Sequence, residues 1–457
     1  MDFSERTDII EQIERCFKEH GVGILVLYGE KGLGKTTLLL QLANTYESVY
    51  YHAVPASELQ QADFMLRQLR KGQVQPDEKN PYDEVFTALA ECHRQSKVLF
   101  IIDESEHILK AGEQFVSALR ILLNHGYSDT DFLVLLSCSS LGFIANSLGK
   151  RLGGCAPYIR GIHKINALSF SDTCAYLVGR PVVESFSVYA LLGGNLSFLS
   201  AAKAFSSTKQ LVCGLFLDKT GLMHDYGFRC LSGELREFGV YSTILYTIAR
   251  GKEKLNDIHL ATGFSRAKIS VYLKNLMELD LIGKVYSYGA GPRDDSKKGL
   301  YRILNPALEF WYRFLYADQS ALQNETPEAF YEMRIASQLS PFMERAYARV
   351  AAQALTEGRV WEKGHIVRCE EWIGKSGEIP VVAITGQGEA IPVFIHYGQQ
   401  TLSVADTEWY AFCCKRARLT SKNMIIFSEG GHDDVVDERA HVLSLFTLFE
   451  SSGDFTP

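Results

Sequence analysis

The stretch Leu25–Leu42, LVLYGEKGLGKTTLLLQL, decides the fold of the N-terminal part of the chain. An apolar run ends at Tyr28, a glycine-rich loop follows, and an apolar helical pattern begins after a lysine and two threonines. Residues 29–36 fit GxxxxGK[ST] at every fixed position. Glycines let successive backbone N–H groups curl around phosphate oxygens, and the next helix directs its positive end at the same charge. The stretch predicts a phosphate-binding loop between a strand and a helix.

Individual residues of this loop are predicted to contact the ligand. Lys35 is predicted to reach the β- and γ-phosphates of a nucleotide, and the Thr36 hydroxyl is predicted to hold Mg²⁺. A glycine turn without ligand is the alternative, and the flanking strand and helix patterns argue against it. The predicted nucleotide-binding residues here are Gly29, Glu30, Lys31, Gly32, Leu33, Gly34, Lys35, Thr36 and Thr37. The predicted cofactors are ATP and Mg²⁺.

A second motif supports the first. The apolar run from Lys97 to Ile102 ends in two carboxylates, Asp103 and Glu104. Asp103, at the tip of a buried strand, is predicted to bind Mg²⁺, and Glu104 is predicted to polarise the attacking water. The alternative is an acidic strand end that faces solvent. Its position after a complete phosphate loop favours the catalytic interpretation.

Two further residues are candidates for contact with the γ-phosphate. Ser139 follows the apolar strand pattern at 132–137, and a hydroxyl at a strand end can sense that phosphate. Polar strand ends are also common without function. Arg160 follows a basic stretch and is predicted to stabilise phosphate charge, either within its own subunit or across an interface. A surface salt bridge is an equally good interpretation of Arg160.

Bulk properties limit the class of protein. The chain has 457 residues, 46% of them hydrophobic, which predicts about three globular domains. Without a run of 18 or more apolar residues, and with a charged amphipathic start, we expect neither a membrane span nor a signal peptide. The ten cysteines form no CxxC pair. We therefore expect a reduced, cytoplasmic protein without a zinc site.

The order of apolar patterns predicts the architecture. Over the first 165 residues, strand patterns alternate with amphipathic helices, which predicts a parallel sheet with helices on both faces. Residues 169–238 have a helical pattern, and residues 318–327 are predicted to be a polar linker. The predicted strands are Ile24–Tyr28, Val49–Ala53, Val98–Ile102, Phe132–Ser137 and His163–Ile165, then Val367–Trp372, Ile379–Thr385, Ile391–His396 and Met424–Ser428 in a further α/β domain.

With these motifs in place, the chain resembles the archaeal-type ATPases of the AAA+/STAND superfamily of P-loop NTPases. The resemblance implies a P-loop NTPase core, a helical lid, a winged helix-turn-helix and a C-terminal α/β domain of the restriction-endonuclease-like (PD-(D/E)XK) class. The implied boundaries are residues 1–166, 167–238, 239–318 and 336–457. Phe3–Ile9 looks like the family's opening motif, which places Arg6 near the nucleotide. Leu192–Leu196 looks like the lid motif GGxP, with Leu196 in place of the proline.

The middle domain is a candidate for DNA binding. Leu255–Leu279 fits a helix-turn-helix in which Gly263 makes the turn and Ser265 caps the second helix. Residues 240–320 contain 12 Lys and Arg against 8 Asp and Glu, a net charge of +4. The alternative is a winged helix that packs on the ATPase and relays its state. The predicted DNA-binding residues are Arg266, Lys268, Ser270, Lys274, Lys297 and Lys298.

The C-terminal domain departs from the pattern of the nucleases it resembles. That class needs a Glu on its first helix, an Asp on its second strand and an ExK motif on its third. Glu344 fits the first position. Pro380 replaces the aspartate, and the segment Phe394–His396 offers neither an acid nor a lysine. The resemblance therefore implies a nuclease-like fold without nuclease activity.

Together these observations predict an ATP-binding and ATP-hydrolysing switch. Three alternatives remain open: an ATP-controlled DNA-binding regulator, a DNA-processing ATPase with a working nuclease, and a scaffold for a neighbouring protein. The expected partners are ATP, with double-stranded DNA, a second copy of the chain or another protein as further candidates. No membrane partner is expected.

Overall fold

The computed structural model describes residues 4–18, 22–70, 76–92, 97–125, 130–232, 235–289, 299–361, 364–398, 400–432 and 439–450. The chain divides into two compact units. Unit 1 comprises residues 1–167 and 195–197, and unit 2 comprises residues 168–194 and 198–457. No α-helix in the described ranges combines the length and apolarity needed to cross a membrane.

Unit 1 is built on five strands with helices between them. The strands are Gly23–Tyr28 (β1), Ser48–His52 (β2), Val98–Asp103 (β3), Phe132–Cys138 (β4) and Ile159–Lys164 (β5). The α-helices are Ser4–Lys18 (α1), Lys35–Thr45 (α2), Glu58–Leu69 (α3), Asp83–Cys92 (α4), Glu106–Ala111 (α5), Gln114–Leu123 (α6), Leu141–Phe143 (α7) and Gly149–Arg151 (α8), with a π-helical turn at Ile144–Leu148 and a 3₁₀ turn at Gly153–Tyr158.

The five strands form one parallel sheet with helices on both faces, as the sequence predicts. Successive side chains of a strand point to opposite faces, so a strand buried on both sides is apolar throughout. Ile24 and Val26 of β1 belong to one core, packed with α3, α4 and α6. Leu25 and Leu27 belong to the other, packed with α1 and α2.

The strand order β2-β3-β4-β1-β5 decides where a ligand can bind. The chain leaves β1 for β2 at the far edge, returns through β3 and β4, and then crosses β1 to reach β5. In open parallel sheets, ligands bind beyond the carboxyl ends of the strands at such a change of direction. Tyr28, His52, Asp103 and Cys138 end their strands at this one edge.

Unit 2 begins with helices, as the sequence predicts for residues 169–238, and ends in a second sheet. Its α-helices are Phe170–Tyr176 (α9), Val182–Leu192 (α10), Leu196–Ala202 (α11, whose first two residues belong to unit 1), Thr208–Leu211 (α12), Tyr226–Ser232 (α13), Phe238–Ala249 (α14), Leu255–Thr262 (α15), Arg266–Glu278 (α16), Pro306–Phe314 (α17), Gln319–Asn324 (α18), Pro327–Phe330 (α19), Ala336–Thr356 (α20), Val404–Ala417 (α21) and Leu445–Glu450 (α22). A π-helical turn at Val212–Leu217 follows α12, a 3₁₀ turn at Tyr316–Asp318 precedes α18, and a π-helical turn at Tyr331–Ile335 precedes α20.

The strands of unit 2 form a hairpin and a mixed sheet. They are Ile282–Val285 (β6), Leu300–Ile303 (β7), Ile366–Ile373 (β8), Glu378–Thr385 (β9), Ala390–His396 (β10), Met424–Ser428 (β11) and Ala440–Leu443 (β12). β6 and β7 pair antiparallel. The mixed sheet has the order β12-β11-β10-β9-β8, antiparallel from β8 to β10 and parallel from β10 to β12.

The turn between α15 and α16 has the chemistry that the sequence predicts. Gly263 has φ 71°, a left-handed conformation that favours glycine, and Ser265 accepts a hydrogen bond from the backbone N–H of Lys268. Beyond β6, Ser287 forms a bridge with Glu371 of β8. The base of the hairpin is thereby attached to the edge of the C-terminal sheet.

The aromatic run of α17 lies in the core. Phe310, Trp311 and Tyr312 are fully buried, and the indole N–H of Trp311 donates to the carbonyl of His224 at 2.9 Å. A buried ring with its polar atom satisfied packs the core. These rings are therefore not available as a stacking platform for bases.

The segment that the sequence predicts to be a polar linker is helical instead. Residues 319–330 contain α18 and α19, and Leu322 and Phe330 are buried. Thr326 caps α19 by accepting from the backbone N–H of Ala329, and Pro327 occupies the first helical turn, where its missing N–H has no cost. The linker prediction was wrong because Pro327 starts a helix here.

Candidate nucleotide site

The glycines of the loop at 29–36 are required by both conformation and space. Gly32 and Gly34 have φ of 85° and 83°, a region that other residues rarely adopt. A Cβ on Gly32 would lie 2.6 Å from Asn195 Oδ1, and one on Gly34 would lie 2.8 Å from Leu196 Cδ1. The loop thus passes directly against residues 195–197, which leaves room only for backbone.

Lys35 folds back along this loop. Its Nζ donates to the carbonyls of Gly29 at 2.7 Å and Glu30 at 2.9 Å, and the side chain is buried. Burial lowers the pKa of the Lys35 ammonium, and the nearby carboxylates Glu104 and Asp103 partly oppose that effect. The amine thus lies against the loop, and its predicted contact with the β- and γ-phosphates stays a prediction.

Thr36 and Asp103 meet at the predicted metal position. Thr36 Oγ1 donates to Asp103 Oδ2 at 2.7 Å, and Asp103 is fully buried at the end of β3. In the part of the chain that the structure describes, no three His, Cys, Asp or Glu side chains could hold a metal ion. Because Mg²⁺ often takes one or two protein ligands with phosphates and waters, this pair fits Mg²⁺ bound together with a nucleotide.

Two side chains of β2 join this site, and sequence reasoning missed both. Tyr50 donates its hydroxyl to Asp103 Oδ2 at 3.0 Å, and His52 Nδ1 lies 3.4 Å from the same oxygen. They are two residues apart on one face of the strand, and His52 pairs with Asp103 across the sheet. The available signal was the polar end of β2, since parallel strands bring their carboxyl ends together.

The Asp103 carboxylate is stabilised in its charged form. Burial by itself raises the pKa of Asp103, but the hydroxyl groups of Thr36, Ser137 and Tyr50 and the neighbouring His52 together outweigh burial, and the pKa lies below its usual value. Burial raises the pKa of Tyr50, and the Asp103 carboxylate raises it further, so the phenol remains a proton donor. Asp103 is thus an anion prepared for a cation.

Glu104 adopts a left-handed backbone conformation, with φ 52°. That conformation is uncommon outside glycine and is found where function constrains the chain. Its Oε1 accepts from the Ser139 hydroxyl at 2.7 Å, while Oε2 is buried and has no hydrogen-bond partner among the described residues. Ser139 therefore holds one carboxylate oxygen in place, while the other is an acceptor whose capacity is unused.

Glu106 is a second residue that the sequence did not single out. It is buried, and its Oε1 accepts from the backbone N–H groups of Ser139 and Ser140, each at 3.0 Å. It fixes the backbone after β4 and therefore the position of the Ser139 hydroxyl. In sequence it looks like an ordinary acidic residue in the first turn of α5, which is why it carried no signal.

The residues 195–197 and Arg6 cover the loop. Arg6 donates from its guanidinium to the carbonyl of Leu33 and is buried. Asn195 donates from Nδ2 to the carbonyl of Lys31 at 2.9 Å. The Leu196 side chain lies over Gly34. Arg6, Asn195 and Leu196 thus contact the loop, and Asn195 is a contact within the predicted lid motif that the sequence did not single out.

Arg160 lies at the edge of the sheet opposite to the phosphate loop. The prediction that it stabilises phosphate charge within its own subunit was therefore wrong. It stands near the start of β5 and donates from Nη2 to the carbonyl of Val22, just before β1. The loop begins after the carboxyl end of β1, which is six residues long. At about 3.3 Å per residue, roughly 20 Å of strand separates the two edges.

These features agree with a match in sequence. Residues 18–141 match the family described as AAA domain, which covers β1 through β4 and includes Asp103, Glu104 and Ser139. The chain carries an AAA-type P-loop ATPase domain. The match supports binding and hydrolysis of a nucleoside triphosphate by this domain.

Other comparisons describe the rest of the chain. Residues 311–404 match a family described as archaea bacterial proteins of unknown function. An uncharacterized protein of Methanocaldococcus jannaschii, MJECL04, is 23% identical over 394 residues, which cover 84% of each chain. This similarity extends well beyond the AAA-type domain.

Two solved structures have partial similarity in shape. The Walker-type ATPase PABY2304 of Pyrococcus abyssi has a TM-score of 0.48 and 14% identity over 68% of this chain and 96% of its own. The ORC2 protein of Aeropyrum pernix, in ADPNP and ADP complexes, has a TM-score of 0.44 and 16% identity over 71% of this chain and 94% of its own. Both scores are low, so the domain assignment depends on the sequence match.

The predicted DNA-binding residues of α16 are exposed, while Lys297 and Lys298 lie outside the described residues. Arg266 donates to Asn256 Oδ1 at 2.6 Å, and Lys268 lies 5.0 Å from the centre of the Phe264 ring. Lys274 lies 3.6 Å from Glu278. Contacts at such exposed positions are weak and leave these cations accessible to a polyanion.

The residues expected at a nuclease centre lie on α20, β9 and β10. Glu344 and Pro380 line the same cavity of unit 2. His396 contacts the backbone carbonyl of Gln400 through Nε2 at 3.0 Å. Partial burial raises the pKa of Glu344, and the neighbouring acid Glu378 raises it further. The absence of nuclease activity therefore stays a prediction. Glu378 is the acid whose charge acts on Glu344.

Proposed function

We propose that this protein is an ATP-binding and ATP-hydrolysing switch of the AAA+/STAND type. The observation that carries the proposal is the hydrogen bond from Thr36 Oγ1 to Asp103 Oδ2 at 2.7 Å. It joins the helix after the phosphate loop to the acidic end of β3. These are the two side chains that hold Mg²⁺ beside the phosphates in P-loop NTPases.

The loop binds the phosphates. Backbone N–H groups between Gly29 and Gly34 and the positive end of α2 face the β- and γ-phosphates. Lys35 exchanges its two backbone carbonyl partners for phosphate oxygens, which carry more negative charge. When bound beside Thr36 and Asp103, Mg²⁺ neutralises charge on the β- and γ-phosphate oxygens.

Glu104 activates water for hydrolysis. Its Oε2 has no partner in the described structure and accepts the proton of a water as that water attacks the γ-phosphorus. The bond from this phosphorus to the bridging oxygen of ADP breaks, which yields ADP and phosphate. Ser139 holds Oε1 throughout and so fixes the direction of the carboxylate.

Residues 195–197 are suited to report the state of the loop. Asn195, Leu196 and Ser197 touch residues 31–34, and Leu196 and Ser197 are the first two residues of α11. We assign residues 167–238 to a lid, 239–318 to a winged helix and 336–457 to a restriction-endonuclease-like domain without activity. A phosphate that changes the loop backbone would change these lid contacts first.

A DNA-binding regulator is the second candidate, and exposed cations on α16 favour it. Arg266, Lys268 and Lys274 have accessible side chains on one helix. The attachment of the hairpin base to β8 through Ser287 and Glu371 favours the switch, because it engages the hairpin in a contact within unit 2. Retardation of duplex DNA that weakens steeply with salt would favour the regulator.

The experiment compares wild type, Glu104→Gln and Lys35→Ala by nucleotide binding, ATP turnover and light scattering, with and without ATP. Glu104→Gln is expected to keep its affinity for ATP, while its rate of ATP hydrolysis falls roughly 10²-fold, the typical effect of a general base. Lys35→Ala is expected to lose binding. If Glu104→Gln hydrolyses ATP like wild type, the assignment of Glu104 fails; if ATP changes neither mass nor shape, the switch fails.

A further inference from the structure

Two aromatic side chains lie exposed on one face of α21. Trp409 and Phe412 are 49% and 39% exposed, although tryptophan and phenylalanine are among the side chains that folding usually buries. The centres of the two rings lie 5.3 Å apart, and the ring planes are within 21° of parallel. Residues three apart on a helix are neighbours on its surface. The two rings therefore form a small stack that faces solvent.

The packing of α21 does not account for this stack. Tyr410, Cys413 and Cys414 are the residues of the helix that belong to the buried cluster shared with β9, β10 and β11. An amphipathic helix places its apolar residues on the side that it buries. Among the described residues, Trp409 and Phe412 are not members of that cluster. Their exposure therefore needs an explanation outside the core.

Cations gather at the C-terminal end of the helix, beyond the rings. Arg416 is four residues after Phe412, and its guanidinium lies 5.4 Å from the centre of the Phe412 ring. Lys415, Arg416 and Arg418 are all exposed, and their side chains form no ion pair among the described residues. Cations at a helix C-terminus stabilise the helix, and that role leaves their charge open to a ligand.

A turn beside the indole adds a fourth cation. The turn joins β8 to β9, and a Cβ on Gly377 would lie 3.6 Å from Cζ2 of Trp409. The turn therefore passes next to the ring of Trp409. Lys375 lies in the same turn, two residues before Gly377, and is exposed.

The carboxylates of this surface lie away from the C-terminal end of α21. Asp406 and Glu408 precede the rings, and Asp406 is half-buried in the capping box of the helix. Glu378 follows the turn as the first residue of β9. Four cations thus stand against three carboxylates, but α21 has no acidic residue after Phe412. A polyanion can therefore approach the three cations at that end without meeting a like charge on the helix.

The exposed stack suits a nucleic-acid base better than a protein. Specific protein interfaces bury about 800 Å² on each partner. Trp409 and Phe412 together expose roughly 200 Å², given that each ring can bury about 150–250 Å². One ring face is enough for one base, and bases stacked on aromatic rings beside cations are how single strands are bound without sequence preference. Bases in a duplex are already stacked, so the rings can meet only unpaired bases.

We propose that α21 binds a single strand of nucleic acid, with unpaired bases extending the stack of Trp409 and Phe412 and with phosphates on the neighbouring cations. Arg416 lies roughly 6 Å along the helix from Phe412, within reach of the phosphate next to a stacked base. Base faces and phosphates are common to DNA and RNA, so both are expected to bind with similar affinity. This surface is separate from α16, and its function does not depend on ATP hydrolysis in unit 1.

The test measures binding to the full chain by fluorescence anisotropy. The probes are labelled oligothymidine and oligouridine of about 15 nucleotides, near the upper end of usual site sizes, and a duplex of the same length. Trp409→Ala is expected to weaken binding of both single strands at least fivefold, since a stacked base contributes roughly that much or more. Binding of the duplex is expected to be unchanged. Trp409→Phe, which keeps a ring, is expected to restore most of the affinity.

The charge is tested separately. Arg416→Gln is expected to weaken both single strands and to make the slope of log K against log salt shallower by about 0.7, the share of one phosphate contact. Phe64→Ala, at a ring of α3 that is 38% exposed, and Lys252→Gln, at an exposed lysine of unit 2, are the matched controls. Both are expected to bind like wild type.

Several results would overturn the proposal. One is the absence of single-strand binding, and another is normal binding in Trp409→Ala. If Trp409→Ala does not fold, Phe412→Ala decides in its place. Loss of single-strand binding in Lys274→Gln, with normal binding in Trp409→Ala, would move the site to α16. Light scattering that shows self-association lost in Trp409→Ala, with single-strand binding intact, would assign the rings to a second copy of the chain instead.

Discussion

Ser139 donates its hydroxyl proton to Glu104 Oε1 at 2.7 Å, while its backbone N–H donates to Glu106 Oε1 at 3.0 Å. The end of β4 therefore joins two carboxylates, one that faces the nucleotide site and one buried behind it. Glu104 has a left-handed backbone, so its side chain needs such support to keep one direction. This arrangement makes the position of the Glu104 carboxylate, the proposed general base, depend on β4.

Replacing Ser139 is expected to affect turnover more than binding. Ser139→Ala removes the hydrogen bond to Glu104 Oε1 and leaves that carboxylate free to turn. We expect kcat for ATP to fall roughly 10-fold, with KM changed less than threefold, because the loop is unaltered. Ser117→Ala, at an exposed hydroxyl of α6, is the control. A large rise in KM with normal kcat would contradict the role of Ser139.

Glu106 is expected to act through the backbone of β4. Glu106→Gln keeps an oxygen that can accept from Ser139 and Ser140, whereas Glu106→Ala removes it. We expect Glu106→Gln to retain most ATP turnover and Glu106→Ala to lose at least tenfold in kcat. Thermal unfolding is measured in parallel, since Glu106→Ala also removes the acceptor of two half-buried backbone N–H groups. Equal turnover in the two variants would refute the positioning role.

Tyr50→Phe is expected to change the pH dependence of the ATPase. The pKa of Asp103 is lowered by hydrogen bonds that outweigh burial, so its charge persists to acidic pH. Without the Tyr50 hydroxyl the pKa of Asp103 rises, and the acid limb of kcat against pH moves to higher pH. The profile is measured from about pH 4 to 8, on either side of a normal carboxyl pKa. A shift to lower pH, or none, would contradict this assignment.

The same pKa has a consequence for stability. A carboxyl whose pKa is depressed by folding contributes stability above its unfolded pKa, and this contribution disappears as pH falls through the folded pKa. Wild type is therefore expected to lose stability in acid relative to neutral pH through Asp103. Tyr50→Phe is expected to lose the Asp103 contribution at a higher pH, which denaturant titrations at several pH values would show.

The three central strands of unit 1, β1, β3 and β4, could be predicted from sequence because each is a buried apolar run that ends in a marked residue. The loop glycines and the acidic end of β3 also have fixed spacings. Tyr50, Glu106 and Asn195 have no such spacing. They reach the site because the order of the strands, and the return of the chain at residues 195–197, bring distant segments together. A single sequence does not reveal which segments become neighbours.

Arg160 and residues 318–327 show two other reasons for failure. Arg160 lies in β5, which borders β1. The edge of the sheet at which Arg160 lies depends on where β5 begins, and β5 begins at Ile159. For residues 318–327, a polar composition and a proline are as consistent with a linker as with the start of a helix. The burial of Leu322 and Phe330 decided between them.

Gly34→Ala is expected to disable the nucleotide loop. The φ of 83° disfavours alanine by roughly 1 kcal/mol, and its Cβ would lie 2.8 Å from Leu196 Cδ1. We expect at least a tenfold loss in ATP affinity by calorimetry. Gly153→Ala is the control, since nothing lies within 4 Å of its added Cβ and it has no left-handed φ. ATP affinity equal to wild type in Gly34→Ala would contradict the fit of this loop.

Nuclease activity is expected to be absent, and one experiment can show otherwise. Excess protein is incubated with supercoiled plasmid and Mg²⁺ or Mn²⁺, and nicking is followed on gels. Pro380 cannot supply a carboxylate, so a metal would have only Glu344 and Glu378 nearby, and the described residues offer no third acid, His or Cys in range. No cleavage is expected. Cleavage that persists in Lys35→Ala but disappears in Glu344→Ala would prove a working nuclease, since a contaminant would survive both changes.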